Sequence, residues 1–240
     1  MKNQINALEI KGLNKKYKGF SLCDVEICIP KGSIVGLVGE NGAGKSTTMK
    51  AALNLVKRDA GEVRFWGENL DEHPRELKHR IGVSFDEINF YEVLTPLKVE
   101  KICAAVYDNW DKTEFERLLK KFNVNETKPI IDFSRGMKVK LSLAVAMSHD
   151  AELLILDEPT SGLDPIARED VLEEFETFVK NGERSILLSS HITDDLEKIA
   201  DSVVFIHKGK IVFDKSVTEL KAQGRPIDDI LNDYVRRDAK

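Results

Sequence analysis

A short glycine-rich segment carries the residue types that can hold a polyphosphate. The residues from Gly39 to Ser46 fit the pattern G-x-x-x-x-G-K-[ST], between an apolar run at 34–38 and a helical segment at 47–56. Glycines let backbone N–H groups approach phosphate oxygens, and the N-terminus of the following helix attracts the anion. In such a loop the lysine reaches the β- and γ-phosphates, and the next hydroxyl ligates Mg²⁺. The alternative is a glycine turn that precedes Lys-Ser by chance, but the flanking strand and helix favour a nucleotide site.

This loop predicts contacts from nearly all of its residues. Lys45 is the predicted catalytic cation, and Ser46 is a predicted metal ligand. Contacts with the nucleotide are expected from Gly39, Asn41, Gly42, Ala43, Gly44, Lys45, Ser46 and Thr47.

Two carboxylates and a histidine follow later apolar runs. Asp157 and Glu158 end the run at 153–156, and a strand buried on both faces delivers such residues to the carboxyl edge of a parallel sheet, where ligands bind. Asp157 is then placed to hold Mg²⁺, and Glu158 to polarise the attacking water as general base. The alternative is that both carboxylates cap the following turn. His191 follows the run at 185–189, and we expect it to contact the γ-phosphate.

Other candidates have ordinary structural alternatives. Ser134 and Gly136 precede a helical run, and a hydroxyl with a glycine N–H at a helix N-terminus binds anions, although many helices begin with serine. Tyr17 precedes a strand that leads to the phosphate loop. It can stack on an adenine face or be a partly buried surface tyrosine. The segment 161–165 has the composition of an ordinary turn.

Composition excludes several classes of function. The 240 residues include 36 basic and 41 acidic side chains, with a net charge of −5, whereas dedicated nucleic-acid-binding proteins carry a basic excess. We therefore expect no nucleic-acid partner. No apolar stretch approaches the roughly 20 residues that span a bilayer, and the N-terminus lacks a secretory segment. Three sparse cysteines fit a reducing compartment, so we expect a cytoplasmic chain.

Alternating strands and helices predict an α/β fold with a mainly parallel sheet and helices on both faces. Early runs near 7–11, 25–29 and 61–67 predict a small antiparallel β part. We expect a single domain over 1–240. Its predicted parts are a nucleotide-binding α/β core with the antiparallel β part (1–87 and 146–215), a helical subdomain (88–145) and a C-terminal helical tail (216–240).

Taken together, these motifs resemble the nucleotide-binding subunit of ATP-binding cassette (ABC) transporters, from about residue 5 to residue 218. The resemblance implies a P-loop NTPase core with ATP and Mg²⁺ as its ligands. In chain order, the similar elements are Tyr17 as the adenine-stacking aromatic, 39–46 as the Walker A loop, 133–137 at the place of the signature Leu-Ser-Gly-Gly-Gln, 153–158 as the Walker B strand, 161–164 as the D-loop and His191 as the switch histidine.

The resemblance also implies partners. Two such subunits, identical or different, pair head to tail around two Mg·ATP, and hydrolysis releases them. Ser134 and Gly136 of one subunit then touch the γ-phosphate bound by Lys45 of the other, and Asp164 of the D-loop is a further predicted nucleotide contact. An integral membrane permease is driven through the helical part near 86–100. The chain is therefore expected as a peripheral protein on the inner face of the cell membrane.

Two residues depart from the family pattern. Arg135 stands where the signature usually has a glycine, and a long cation there either strengthens the contact with ATP or tethers another subunit. Asp86 aligns with the glutamine that usually joins the core to the helical part, so it is a predicted Mg²⁺ ligand that adds negative charge near the γ-phosphate. Both departures resemble the bacterial exporter-like (ABC-2-type) branch, which implies export through a separate permease.

Two other functions stay open on the sequence. A soluble ABC ATPase that acts on nucleic acid or ribosomes is disfavoured by the acidic balance, the single phosphate loop and the lack of heptads between Lys45 and Asp157. An ATP-sensing regulatory subunit is disfavoured by Glu158 and His191. Arg135 and Asp86 leave that second alternative open.

Overall fold

Two sheets and nine helices make up the part of the chain that the computed structural model describes, residues 5–85 and 90–238. The strands are β1 (Asn6–Tyr17), β2 (Phe20–Pro30), β3 (Ile34–Val38), β4 (Ala60–Phe65), β5 (Glu68–Asn69), β6 (Ile81–Ser84), β7 (Leu153–Asp157), β8 (Ser185–Ser190), β9 (Ser202–His207) and β10 (Lys210–Ser216). The helices are α1 (Lys45–Ala52), α2 (Pro74–His79), α3 (Pro96–Val106), α4 (Lys112–Lys121), α5 (Arg135–Met147), α6 (Pro165–Val179), α7 (Thr193–Ile199), α8 (Val217–Lys221) and α9 (Ile227–Asp238), with one 3₁₀ turn at Ile130–Asp132.

The larger sheet has the strand order β10-β9-β3-β8-β7-β6, and all its pairs are parallel except β9 with β10. The prediction of a mainly parallel sheet is confirmed. Every residue of β3, β7 and β8 is buried, as expected for strands covered on both faces. Parallel pairing aligns the carboxyl ends: Val38 lies opposite Ser190, and Asp157 lies opposite Ser189. The ends of three strands that carry predicted site residues therefore meet at one edge.

The smaller sheet is antiparallel, with the order β2-β1-β4-β5, as the early alternating runs predicted. Val25, Ile27 and Ile29 of β2 are buried on its inner face. They join a core cluster that also contains Val35 and Leu37 of β3 and Met49 of α1. This packing holds the small sheet beside the loop between β3 and α1.

Helices α3, α4 and α5 lie between β6 and β7 in the chain, where the sequence predicted a helical part. Phe115, Leu118 and Leu119 form the buried face of α4, at the spacing that predicted it. Helix α5 ends at Met147, two residues past the bound at 145 of the predicted helical subdomain. The division into subdomains stays a prediction. Within residues 5–85 and 90–238, no helix is long and apolar enough to cross a membrane.

Candidate active site

The loop between β3 and α1 has a backbone that requires glycine. Gly42 and Gly44 have φ angles of +81° and +117°, which residues with a Cβ rarely adopt. A Cβ on Gly44 would also lie 2.6 Å from Cδ2 of Leu22, and a Cβ on Gly39 would overlap the carbonyl oxygen of Ile206. Conformation and space therefore both account for the glycines of the motif.

Lys45 is the first residue of α1, and its side chain is only 7% exposed. Its ammonium donates a hydrogen bond to the carbonyl oxygen of Gly39 at 2.8 Å. The same nitrogen lies 3.5 Å from Oε1 of Glu158. The loop cation and the predicted general base, 113 positions apart in the sequence (158 − 45), are thus neighbours in the fold.

A cavity of about 570 Å³ opens beside this loop, a volume typical of small-ligand sites. Ser46 and Asp157 both line it, and hydroxyl and carboxylate oxygens are the donors that Mg²⁺ prefers beside substrate phosphates. The residue types therefore fit the predicted metal. Among the described residues, its lining is Gly19, Phe20, Glu40, Asn41, Gly42, Gly44, Lys45, Ser46, Thr47, Asp157 and Glu158.

A serine on β8 ties the two carboxylate residues together. The Ser189 hydroxyl donates to Oδ1 of the buried Asp157 at 2.5 Å and accepts from the backbone N–H of Glu158 at 3.0 Å. Sequence reasoning missed this residue. The available signal was a pair of serines, Ser189 and Ser190, at the end of an otherwise apolar strand.

Glu158 and His191 form a direct pair. His191 Nδ1 lies 2.6 Å from Oε2 of Glu158, and the backbone N–H of His191 donates to the same oxygen at 3.3 Å. Glu158 has a φ of +53°, an unfavourable value for a residue with a side chain. Lys45 approaches the other carboxylate oxygen. Lys45 and His191 therefore both contact the Glu158 carboxylate, one at each oxygen, and Glu158 is the strained residue of the three.

Tyr17 lies at a second cavity, of about 540 Å³, that shares Gly19, Phe20 and Gly42 with the first. The tyrosine is 43% exposed, which leaves ring surface available for stacking. Phe20 was also missed by sequence reasoning, because an aromatic at the start of a strand is ordinary. Phe20 lines both cavities.

The signature and D-loop residues lie on a different surface. Ser134 is exposed and caps α5, its hydroxyl accepting from the N–H of Met137 at 3.2 Å. A Cβ on Gly136 would lie 3.1 Å from Cδ2 of Leu163, so the glycine permits close contact with the D-loop. Within the described part of the chain, the lining of the phosphate-loop cavity includes neither Ser134 nor Gly136.

Asp164 caps α6 and does not line that cavity either. Its carboxylate accepts from the N–H groups of Ala167 at 3.0 Å and Ile166 at 3.1 Å. These bonds, the first above all, lower the pKa of Asp164. The predicted metal ligand Asp86 lies outside the described residues.

Known proteins share this combination of fold and motifs. The ABC transporter family model matches residues 22–161. The bacitracin transport ATP-binding protein BcrA of Enterococcus faecalis is 34% identical over 91% of this chain and 72% of its own length. The lantibiotic transport ATP-binding protein SrtF of Streptococcus pyogenes is 37% identical over 87% of this chain and 90% of its own. A solved ATP-binding subunit of an ABC transporter has a TM-score of 0.84 and 31% identity, covering 96% of this chain and 98% of that one.

The family match includes both the phosphate loop and the strand that ends in Asp157, and the relatives extend it over most of the chain. The phosphate loop, the paired acids and the histidine then have one common explanation: this chain belongs to the ABC transporter family, as one of its ATP-binding and ATP-hydrolysing subunits.

Proposed function

We propose that this subunit works in a pair that closes head to tail around two Mg·ATP and drives a separate membrane permease in the direction of export. The observation that carries the pairing is the separation of the site residues. Lys45 and Glu158 meet at one cavity, whereas Ser134 and Gly136 are not among the described residues that line it, and Ser134 is exposed. A second subunit supplies the surface that one chain lacks at its own cavity.

Within one subunit, the loop residues bind the triphosphate. The N–H groups of the loop and the N-terminus of α1 face the phosphates, and the Lys45 ammonium contacts the β- and γ-phosphates. Ser46 and Asp157 would hold Mg²⁺, which neutralises phosphate charge when it is bound. Tyr17 stacks on the adenine.

Glu158 acts as general base on the attacking water. Its contacts with His191 and Lys45 hold the carboxylate at the cavity, and His191 contacts the γ-phosphate once the site is closed. Asp157 accepts a hydrogen bond from the Ser189 hydroxyl, which keeps its carboxylate at the same edge of the sheet.

Ser134 and Gly136 complete the site of the second subunit. The Ser134 hydroxyl accepts one bond from the helix backbone, and a hydroxyl still has its own proton to donate. That proton, the N–H of Gly136 and the N-terminus of the 13-residue helix α5 together suit the γ-phosphate. Asp164 lies on the adjoining D-loop and contacts the nucleotide across the same interface.

The permease contact is proposed at the helical part, near 86–100. Tyr91 and Val93 are exposed there, and Ile102 and Val106 are exposed on the neighbouring helix α3. Contiguous apolar patches on a surface mark sites of protein contact, and four exposed apolar side chains within one segment favour that role here. The chain then works at the cytoplasmic face of the membrane. Export is the direction that Arg135 and Asp86 support through their resemblance to the exporter-like branch.

The test uses purified chain with Mg·ATP. Wild-type protein should hydrolyse ATP, and Glu158→Gln should lower kcat by at least about 100-fold while it still binds ATP. The variant should elute as a dimer in saturating ATP and as a monomer without nucleotide. A monomeric variant in saturating Mg·ATP contradicts the homodimer, and recovery of a dimer with a co-purified second ATPase subunit then identifies a heterodimer.

A further inference from the structure

A buried carboxylate one helical turn beyond His191 has no role in the site described above. Asp195, on α7, is 0% exposed. It accepts hydrogen bonds from Oγ1 of Thr160 at 2.8 Å and from Nε of Arg168 at 2.5 Å. Thr160 lies two residues after Glu158, and Arg168 lies on α6. One side chain therefore joins the helix after His191, the loop that carries Glu158 and the helix after the D-loop.

The segment that carries Glu158 needs external support. Its φ of +53° is strained for a glutamate, and such conformations persist only where surrounding contacts impose them. Backbone bonds from the N–H of Ser161 to Glu158 and from the N–H of Leu163 to Thr160 shape the loop internally. Besides the contacts of the Glu158 carboxylate with Lys45 and His191, two hydroxyl groups tie the segment to neighbouring elements. The Ser189 hydroxyl accepts from the N–H of Glu158, and the Thr160 hydroxyl donates to Asp195.

Stability alone is a poor reason for a charge at this position. A buried ion pair often contributes no more than well-packed apolar residues would, because both charges lose their hydration. Asp195 and Arg168 form such a pair, with side chains 0% and 29% exposed. The carboxylate does, however, place one fixed acceptor within reach of the Thr160 hydroxyl, which orients the loop as well as stabilising it.

We propose that Asp195 is a positioning residue for ATP hydrolysis, which acts through Thr160 to hold Glu158 where it can activate water. This rests on the proposed role of Glu158 as general base. Because Asp195 and His191 share one short segment, the same bond keeps the Glu158 loop aligned with His191. ATP binding does not depend on it, since the phosphate loop lies on β3 and α1.

The experiment compares Thr160→Val with Thr160→Ser in the full chain. Valine removes the hydroxyl at similar size and should lower kcat about tenfold, the effect of losing one hydrogen bond to a charged group. The KM and Kd for Mg·ATP should stay within about twofold of wild type. Serine restores the donor and should recover most of the turnover.

Lys198→Ala provides a matched control. Lys198 donates to Glu169 at 2.9 Å and joins the same two helices, α6 and α7, but both side chains are more than half exposed. Loss of this ion pair should leave kcat unchanged, because an exposed ion pair contributes little to the stability of the structure around it. If Thr160→Val does not fold, Asp195→Asn is the second variant: its amide has one acceptor oxygen and can no longer accept from Thr160 and Arg168 on separate oxygens. It should lower kcat several-fold at unchanged Kd, and wild-type turnover in this variant would overturn the proposal.

The proposal is overturned if Thr160→Val turns over like wild type, or if serine fails to restore it. It is also overturned if kcat and ATP affinity fall together in a folded variant, since that indicates general loss of structure. Glu158→Gln separates the two proposals. If Glu158→Gln retains turnover, the general base itself is rejected. If Glu158→Gln is inactive but Thr160→Val turns over like wild type, only the role of Asp195 is rejected.

Discussion

The phosphate-loop edge and the signature edge of this molecule are built in opposite ways. At the phosphate-loop edge, the Lys45 and Glu158 side chains are 7% and 17% exposed, and each contacts other site residues of its own chain. At the signature edge, Ser134 and Asp164 are exposed, and their side-chain oxygens cap the helices that follow them. The first edge is assembled within one chain, whereas the second presents groups outward.

This difference separates binding from turnover. A substitution at the phosphate-loop edge should change the affinity or chemistry of a single subunit. A substitution at the signature edge should leave ATP binding by one subunit intact and affect only the step that requires a pair.

Lys45→Ala should have the largest effect. Removal of the ammonium should weaken Mg·ATP binding by about 100-fold, the equivalent of one or two hydrogen bonds to charged groups. Calorimetry on the purified chain measures it. Lys57→Ala removes an exposed lysine beyond α1 and should bind like wild type. Equal affinity for Lys45→Ala and wild type would contradict the nucleotide site.

The next largest effect is expected on turnover, in a comparison of Ser134→Asp with Ser134→Asn. Both residues are good helix caps, so both should preserve α5. The aspartate, however, places a negative charge against the γ-phosphate of the second subunit. Its turnover should be about 100-fold below that of the asparagine variant, because like charges in contact cost several kcal/mol. ATP binding at low protein concentration should match in the two variants. Equal turnover in a steady-state ATPase assay would leave Ser134 with a capping role alone.

Ser189→Ala should have an intermediate effect at the phosphate-loop edge. It removes one partner from Asp157 and one from the N–H of Glu158, so unfolding free energy should fall by about 1–3 kcal/mol and kcat about tenfold. Ser185→Ala is the control, since Ser185 bonds to Gly32 and Pro30 at the opposite end of β8. That variant should lose stability in denaturant without losing turnover. Full activity in Ser189→Ala would show that the bridge is only structural.

Asp164→Asn should have the smallest effect, a loss of thermal stability that depends on pH. The N–H bonds of α6 lower the pKa of Asp164 from its ordinary value of 3.8. A lowered pKa in the folded state contributes stability above pH 3.8 that is lost as the pH falls through the folded value. The wild-type advantage in Tm over asparagine should therefore vanish in acid. A difference that is constant across thermal scans from neutral to acid pH would contradict this cause.

Sequence reasoning was most successful where the signal is local. Gly44 and Lys45 could be placed in a loop between a strand and a helix because the glycine pattern and both flanking segments are adjacent in the chain. Asp157 and Glu158 could be placed at a strand end because a fully apolar run predicts where a buried strand ends, whereas their catalytic roles stay predictions. Ser134 was correctly placed at a helix N-terminus, but its position at a phosphate stays a prediction.

Contacts between distant segments were beyond sequence reasoning. Ser189 bonds to Asp157 from 32 positions away, and Thr160 bonds to Asp195 from 35 positions away. Single serines and aspartates are common, so only the pairing of β7 with β8 and the packing of α7 could reveal these partners.

The phosphate loop, the acidic strand end and the α/β class follow from the chain's own local patterns, because backbone freedom and apolar periodicity act between near neighbours. Packing alone set which strand ends meet, which hydroxyl bridges the acids and which surface stays outward. Those outcomes depend on strand order. Strand order is determined by contacts over the whole molecule, and no short segment specifies them.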